Sequence, residues 1–319
     1  MRWMGRRSSA SETLRGVAHA SASALVLALS VALSGQVFAA DAATGANVNG
    51  AATLKVCADP NNLPQSDDSG AGYENKLAEA LARDLGRKVE YTFFPQRQGF
   101  VRQTLRSQDD KTREFKCDVI MGVPKGYELT ATTQPYMHST YALVMPARKE
   151  LSSVKNAQEL LKLPPETLSK LRFGIFARSP ATDWLLKNDL IAQARMYPAQ
   201  SGDPKEHPAS IIEKDLEAGN IDVAIVWGPV AGFLASRPHS GGQWLSAPFL
   251  KDASIQFDYE IAMGVRFGEK EWKETLDGWI AGHRDTINQI LASYNVPPAD
   301  TGPTKLSTAT DNVRPPDAR

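Results

Sequence analysis

From residue 53 onward, short apolar runs alternate with stretches whose apolar residues recur every three or four positions, the pattern of strands exchanging with helices. "LKVCAD" predicts a buried strand, followed by the turn-forming "DPNNLPQSDDSGAG". "YENKLAEALARDLG" places Leu77, Leu81 and Leu85 on one helical face, with Gly86 just past the end as a stop. "KVEYTFF" predicts a second strand halted by Pro95, "GFVRQTLRSQ" a second helix, and "CDVIMGV" a third strand. Such a βαβαβ run implies a mostly parallel sheet covered by helices, with ligands beyond the carboxyl ends of the strands.

The pattern then repeats without repeating the residues. "LRFGIF", "ARMYP" and "IDVAIVW" read as strands, and "SPATDWLLKNDLI", "ASIIEKDLEAGN" and "GPVAGFLAS" as the helices between and after them. Two longer extended segments, "STYALVMP" and "QFDYEIAMGVR", flank this second α/β unit. Beyond them Trp272, Leu276, Trp279, Ile280, Ile287, Ile290 and Leu291 form one apolar stripe that returns to cover the first unit. The expected organisation is a first lobe over residues 52–144 plus 258–297, with a second lobe, 145–257, inserted between two crossover strands. Such a double hinge places a cleft between the lobes and suits ligand-dependent closure. The last stretch, 298–319, lacks aromatic residues and periodicity and reads as a disordered tail.

Ahead of this body lies an arginine-bearing segment, the apolar run "SALVLALSVAL", and small residues at Ala39 and Ala40. Residues 1–39 therefore read as an export signal cleaved after Ala39; the run is shorter than the ~20 apolar residues of a membrane span. Nothing later is long and apolar enough to span a bilayer, so the mature chain is expected to be exported and soluble. The leader holds Arg2, Arg6, Arg7 and Arg15 against Glu12, so the remainder has a net charge of −3, from 32 basic and 35 acidic residues. A mildly acidic chain of this kind argues against a nucleic-acid partner.

The two cysteines, Cys57 and Cys117, face an oxidising compartment, which makes a disulfide the obvious reading. Placing both in adjacent parallel strands, with Asp59 and Gly122 level at the strand ends, sets Cys117 several residues below Cys57. That separation exceeds the reach of a bridge unless the strand starts bend together, and it favours two free buried thiols.

The candidate chemistry lies in the turns. Asp59 and Asn62 stand open between cleft contacts and turn-capping groups, while Asn61 reads as a cap. Gln96 and Arg97 follow the second strand, where Arg97 can fork onto a carboxylate; Arg102, inside the predicted helix, reads as a surface residue. Ser179 followed by Pro180 marks a helix start whose free N–H groups suit an anion, with Arg178 adding charge beside them. Trp227 ends an apolar strand and reads either as a stacking platform or as a core aromatic. His19, His138, His207, His239 and His283 lack metal-ligand spacing, and no nucleophile elbow, phosphate loop or dinucleotide fingerprint is present. The sequence therefore points to no catalytic residue, no metal and no cofactor, and away from an enzyme.

The order of segments from about 54 to 296 resembles the type II periplasmic solute-binding proteins of the amino-acid-binding branch. More narrowly, "VCADPNNLP", "GYENKLAEALARDLG", "PQRQGFVRQTL", "CDVIMGVPKGYELTATTQPYMHSTYALV", "DVAIVWGPVAGF" and "FDYEIAMGVR" resemble the quinoprotein-dehydrogenase-associated group, which includes the MoxJ- and XoxJ-like proteins of methanol-oxidation gene clusters. The resemblance implies a type II fold, a periplasmic location, and an accessory that acts with a PQQ-dependent alcohol dehydrogenase by partner binding, activation or maturation. Amino-acid-binding relatives usually clamp the ligand α-carboxylate with an Arg where this chain has Gly126. They usually hold the α-amino group with an Asp where it has Trp227. Loss of both anchors implies poor binding of a zwitterion, unless Arg97 or Arg178 substitutes. Two other readings stay open: the substrate-binding component of an ABC importer for a small organic solute, and an enzyme on the same scaffold using Asp59 or Glu74.

Overall fold

The structure, a computed structural model, describes residues 52–148, 150–199 and 207–299. The export-signal reading falls on residues outside these, as does the tail beyond 299.

In chain order the elements open with β1 (Thr53–Ala58), the short hairpin β2 (Asn61–Asn62) and β3 (Ser66–Asp67), α1 (Tyr73–Asp84) and β4 (Lys88–Phe93). They continue through α2 (Phe100–Gln103), β5 (Val119–Pro124), β6 (Ala131–Pro146), α3 (Ala157–Leu160) and α4 (Pro165–Leu168). Next come β7 (Phe173–Phe176), α5 (Pro180–Lys187), β8 (Ala194–Tyr197), α6 (Pro208–Glu217), β9 (Val223–Trp227) and α7 (Gly228–Ser236). The last are β10 (Trp244–Pro248), β11 (Asp258–Val265), α8 (Lys270–Gly282) and α9 (Arg284–Ser293).

A nine-stranded mixed sheet runs β4-β1-β5-β11-β6-β9-β7-β8, with β10 also paired to β6. The strands β4, β1 and β5 are mutually parallel, as are β9, β7 and β8. The parallel pairing expected within each α/β unit is present, and the two parallel portions are joined by the antiparallel strands β6 and β11. The 16-residue β6 explains the join. Its amino half pairs with β11, while its carboxyl half lies between β9 and β10. One continuous strand therefore belongs to both lobes.

Strand alternation sorts the side chains onto opposite faces. In the first lobe Leu54, Val56, Val119 and Met121 join the core under α1, α8 and α9, whereas Cys57, Ile120 and Val123 join Phe100, Val101 and Leu105 on the other face. In the second lobe Leu143, Met145, Val223 and Ile225 face one core and Ala142, Val144, Ala224 and Val226 the other. Burial on both faces accounts for the nearly continuous apolar runs of β5 and β9.

Some sequence expectations change. The helix expected over "GFVRQTLRSQ" ends at Gln103; Thr104 leaves helical geometry, its hydroxyl donates to the Phe100 carbonyl, and Leu105 is drawn fully into the core. The single apolar stripe after the exit strand is two helices, α8 and α9, broken at His283. A further segment also crosses between lobes. Ser139 bridges Pro298, the Ser139 hydroxyl donates to the Pro297 carbonyl, and Gly228 and Gly232 of α7 pack closely against Pro297 and Asn295.

The free-thiol expectation is overturned, because Cys57 and Cys117 form a disulfide with a Cα–Cα distance of 5.4 Å. Cys57 is level with Ile120, as the parallel register requires, but Cys117 lies before β5 begins and the chain there bends across β1. The Asp118 N–H donating to the Lys55 carbonyl at 2.7 Å holds this bend. Treating Cys117 as a strand residue overstated the separation.

Candidate functional site

Between the hairpin that follows β1 and the strand ends of the second lobe lies a cavity of about 170 Å³. Asn62, Leu63 and Gln65 line it from the first lobe; Tyr141 of β6 lies at its side; Phe176, Ser179, Val226, Trp227 and Val230 are among its lining residues from the second. That is smaller than the ~300–1,000 Å³ of drug-sized ligand sites. Among the described residues none of the lining side chains is charged.

Trp227 is the centre of the aromatic wall. It ends β9 directly opposite Tyr141 in the antiparallel ladder. Its ring meets Tyr141 edge-on at 5.7 Å and Tyr259 at 5.9 Å, and Tyr141 meets Phe257 at 6.5 Å. Half-buried Trp227 packs against cores of both lobes. The two sequence readings of this residue are therefore compatible, since one face supports the cores and the residue also lines the cavity.

The polar candidates divide. Asn62 lines the cavity and its amide donates to Gln96 Oε1 at 3.0 Å, so these two hold each other. Asp59 is absent from the lining. Its carboxylate accepts the N–H of Asn61 at 2.9 Å and the N–H of Gln96, tying the hairpin to the loop after β4. Arg97 is exposed with its guanidinium 5.8 Å from the Phe94 ring centroid, and it does not line the cavity. Arg178 is exposed, at a positive φ of 63°, and does not line it either. Ser179 precedes Pro180 at the start of α5 as expected, and it lines the cavity. Its hydroxyl, however, donates to the Phe176 carbonyl at 2.7 Å and makes no cap bond.

Sequence reasoning missed Gln65, Tyr141, Phe176 and Tyr259. Gln65 Oε1 is buried with no hydrogen-bond partner among the described residues. In the second lobe His207 Nδ1 is likewise buried with no hydrogen-bond partner among the described residues; burial lowers the His207 pKa, Arg237 adds to the fall, and Asp59 opposes it from the other lobe. Beneath the hairpin Glu74, in the first turn of α1, packs against Gly122 and near the Tyr136 hydroxyl. Burial, with a smaller contribution from Asp59, raises its pKa to about 8, so the carboxyl is carried largely neutral at pH 7. Among the described residues no group of His, Cys, Asp and Glu is arranged to hold a metal ion, and no helix is long and apolar enough to cross a membrane.

Two α/β lobes joined by crossover strands, with an open cavity between them, define a type II periplasmic binding protein fold. No known family model matches the chain. The crystal structure of the periplasmic binding protein XoxJ from Methylobacterium extorquens AM1 is similar at 31% identity and a TM-score of 0.60, covering 77% of this chain and 99% of that one. MxaJ from Methlophaga aminisulfidivorans MPT is similar at 25% identity and a TM-score of 0.63, with the same coverage. Protein MoxJ of Paracoccus denitrificans is 30% identical over 185 residues, which spans 56% of this chain and 63% of that relative, less than two thirds of its length. The chain belongs to the family of MoxJ- and XoxJ-like binding proteins.

Proposed function

We propose that the protein is a periplasmic accessory factor that acts with a PQQ-dependent alcohol dehydrogenase, through partner binding, activation or maturation. The observation that carries this reading is the combination of the family with a cavity wall that lacks any charged side chain among its described residues. A zwitterion enclosed there would lose hydration without gaining ion pairs, at a cost of several kcal/mol. Aromatic and amide groups instead suit a neutral solute or a side chain of a partner. The two-lobed hinge then acts by binding one conformation of the dehydrogenase more tightly than another. The domain limits proposed for this motion are residues 52–144 with 258–297 and residues 145–257, pivoting about β6 and β11.

The test is co-purification of the mature chain with a purified quinoprotein alcohol dehydrogenase, paired with a thermal-shift screen of small acids and quinones. Association with the dehydrogenase supports the reading. Strong stabilisation by one small solute without any association overturns it in favour of an importer component, the second reading, which the presence of a cavity between the lobes favours.

A further inference from the structure

Away from the cavity, where β5 begins and β11 ends, the first lobe leaves two aromatic rings exposed to solvent. Phe267 is 61% exposed and Phe115 is 37% exposed, an unusual pairing for large aromatic rings. Both are held by guanidinium groups: Arg106 lies 5.9 Å from the Phe267 ring centroid, and Arg266 lies 4.0 Å from that of Phe115. Arg266 is itself buried. It donates to the carbonyls of Leu105 and Cys117 and pairs with Glu269, so it locks the loop before β5 to the turn after β11.

That loop is a compact excursion. Gln108 bridges Phe115, the Asp109 carboxylate accepts the N–H groups of Lys111 and Thr112, and the Lys116 N–H returns to the Ser107 carbonyl. The Cys57–Cys117 disulfide and the Lys55–Glu114 ion pair fasten it to β1. Arg102, Lys111, Arg113 and Lys116 on this segment are exposed, and among the described residues none of them makes an ion pair. Over residues 102–116 five cations, Arg102, Arg106, Lys111, Arg113 and Lys116, outnumber three acids, Asp109, Asp110 and Glu114; a basic excess beside exposed rings, on a chain whose body is net acidic, is the composition of a binding surface rather than of a solvated loop. Rigid presentation lowers the entropy cost of using it.

We infer that this ledge, centred on Phe115 and Phe267 and rimmed by Arg113 and Lys116, docks a folded protein partner that offers carboxylates around an apolar spot. Under the accessory reading, on which this rests, that partner is the dehydrogenase. A protein is favoured over a lipid surface because Asp109, Asp110 and Glu114 alternate with the cations. Interleaved signs suit a patterned partner, whereas a uniformly anionic bilayer would be repelled by the carboxylates.

The experiment measures affinity of the disulfide-bonded mature chain for purified dehydrogenase at low and physiological salt. Phe267→Ser and the double variant Arg113→Glu/Lys116→Glu are compared with Lys170→Glu, an exposed charge reversal in the second lobe. The expected result is at least a tenfold loss for the first two, a weaker salt dependence for the double variant, and no change for Lys170→Glu. Melting curves accompany each variant to show that it is folded. Parent-like binding by both ledge variants overturns the ledge while leaving the accessory reading standing; failure of the parent chain to bind the dehydrogenase overturns both. Loss of binding to anionic phospholipid vesicles in the ledge variants, with dehydrogenase affinity intact, also overturns the proposal.

Discussion

Glu74 packs its carboxyl against the Cα of Gly122, so closely that a methyl group on Gly122 would overlap Glu74 Oε1. The fit leaves no room for a side chain on β5 at this point and keeps the carboxyl out of water. Tyr73, Tyr136 and Tyr91 are the titratable neighbours from α1, β6 and β4, and Asp59 is the nearby acid on the hairpin side.

The folded chain holds a proton on Glu74 up to about pH 8, while the unfolded chain releases it near the ordinary value of 4.5. Between these values the folded state binds the extra proton, so stability falls as pH rises through the window. The contribution is fully present below the unfolded pKa and is lost above the folded one, a change of roughly 2–5 kcal/mol. Thermal melts should therefore show a declining midpoint from pH 5 to pH 8, and Glu74→Gln should flatten that slope. An unchanged slope in the variant would remove Glu74 as its source.

Gly122→Ala should destabilise by about 1–3 kcal/mol, the usual cost of overpacking a filled core. Chemical denaturation of the parent and variant measures it. Pairing the change with Glu74→Ala should recover part of the loss, because it removes the overlapping group.

The Cys57–Cys117 bridge closes a separation of 60 residues. By chain entropy it stabilises by about 4 kcal/mol. Melting in the presence of a strong reductant, or of Cys57→Ser/Cys117→Ser, should fall accordingly, and the intact protein should be two mass units lighter than its reduced form. The same treatment should loosen the loop that carries Phe115, visible as faster amide exchange over residues 105–117.

Trp227 sits edge-on to Tyr141 and Tyr259 while packing on cores of both lobes. Trp227→Ala should cost about 2–3 kcal/mol, less than for a fully buried aromatic because the residue is only partly buried. Urea denaturation followed by circular dichroism checks the value.

Gly232 of α7 abuts the Asn295 carbonyl on the segment that crosses back between the lobes. Gly232→Ala should force that contact apart and shift the protein towards a more open arrangement. Small-angle scattering should register a larger radius of gyration, with a lower melting temperature; an unchanged radius would show that this contact does not restrain the lobes.

Much of the architecture was legible because burial leaves local marks. Leu77 and Leu81 recur at helical spacing and both lie in the first-lobe core, and Gly86 adopts the positive φ expected just beyond a helix end. The turn residues Asn62 and Ser179 were also legible as cavity candidates, since strand ends in an α/β sheet face the ligand side. Arg97 and Arg178 carried equal promise on the same grounds. Only their exposed placement separates them from the lining, because the sequence names a loop without setting the direction in which its side chains leave it.

What the chain order determined by itself was local: the apolar alternation of the strands, the helical stripes and the turn chemistry. These follow from periodicities of two and 3.6 residues, which neighbours along the chain express directly. The tertiary structure decided what depends on partners far apart. It placed Tyr141 opposite Trp227 through the β6–β9 register, and it bent the chain before β5 until Cys117 met Cys57. It also buried Glu74 beneath the hairpin and set Arg266 over Phe115 and Arg106 over Phe267. Such contacts arise when separate cores close against a shared strand, and no local pattern specifies the geometry of that closure.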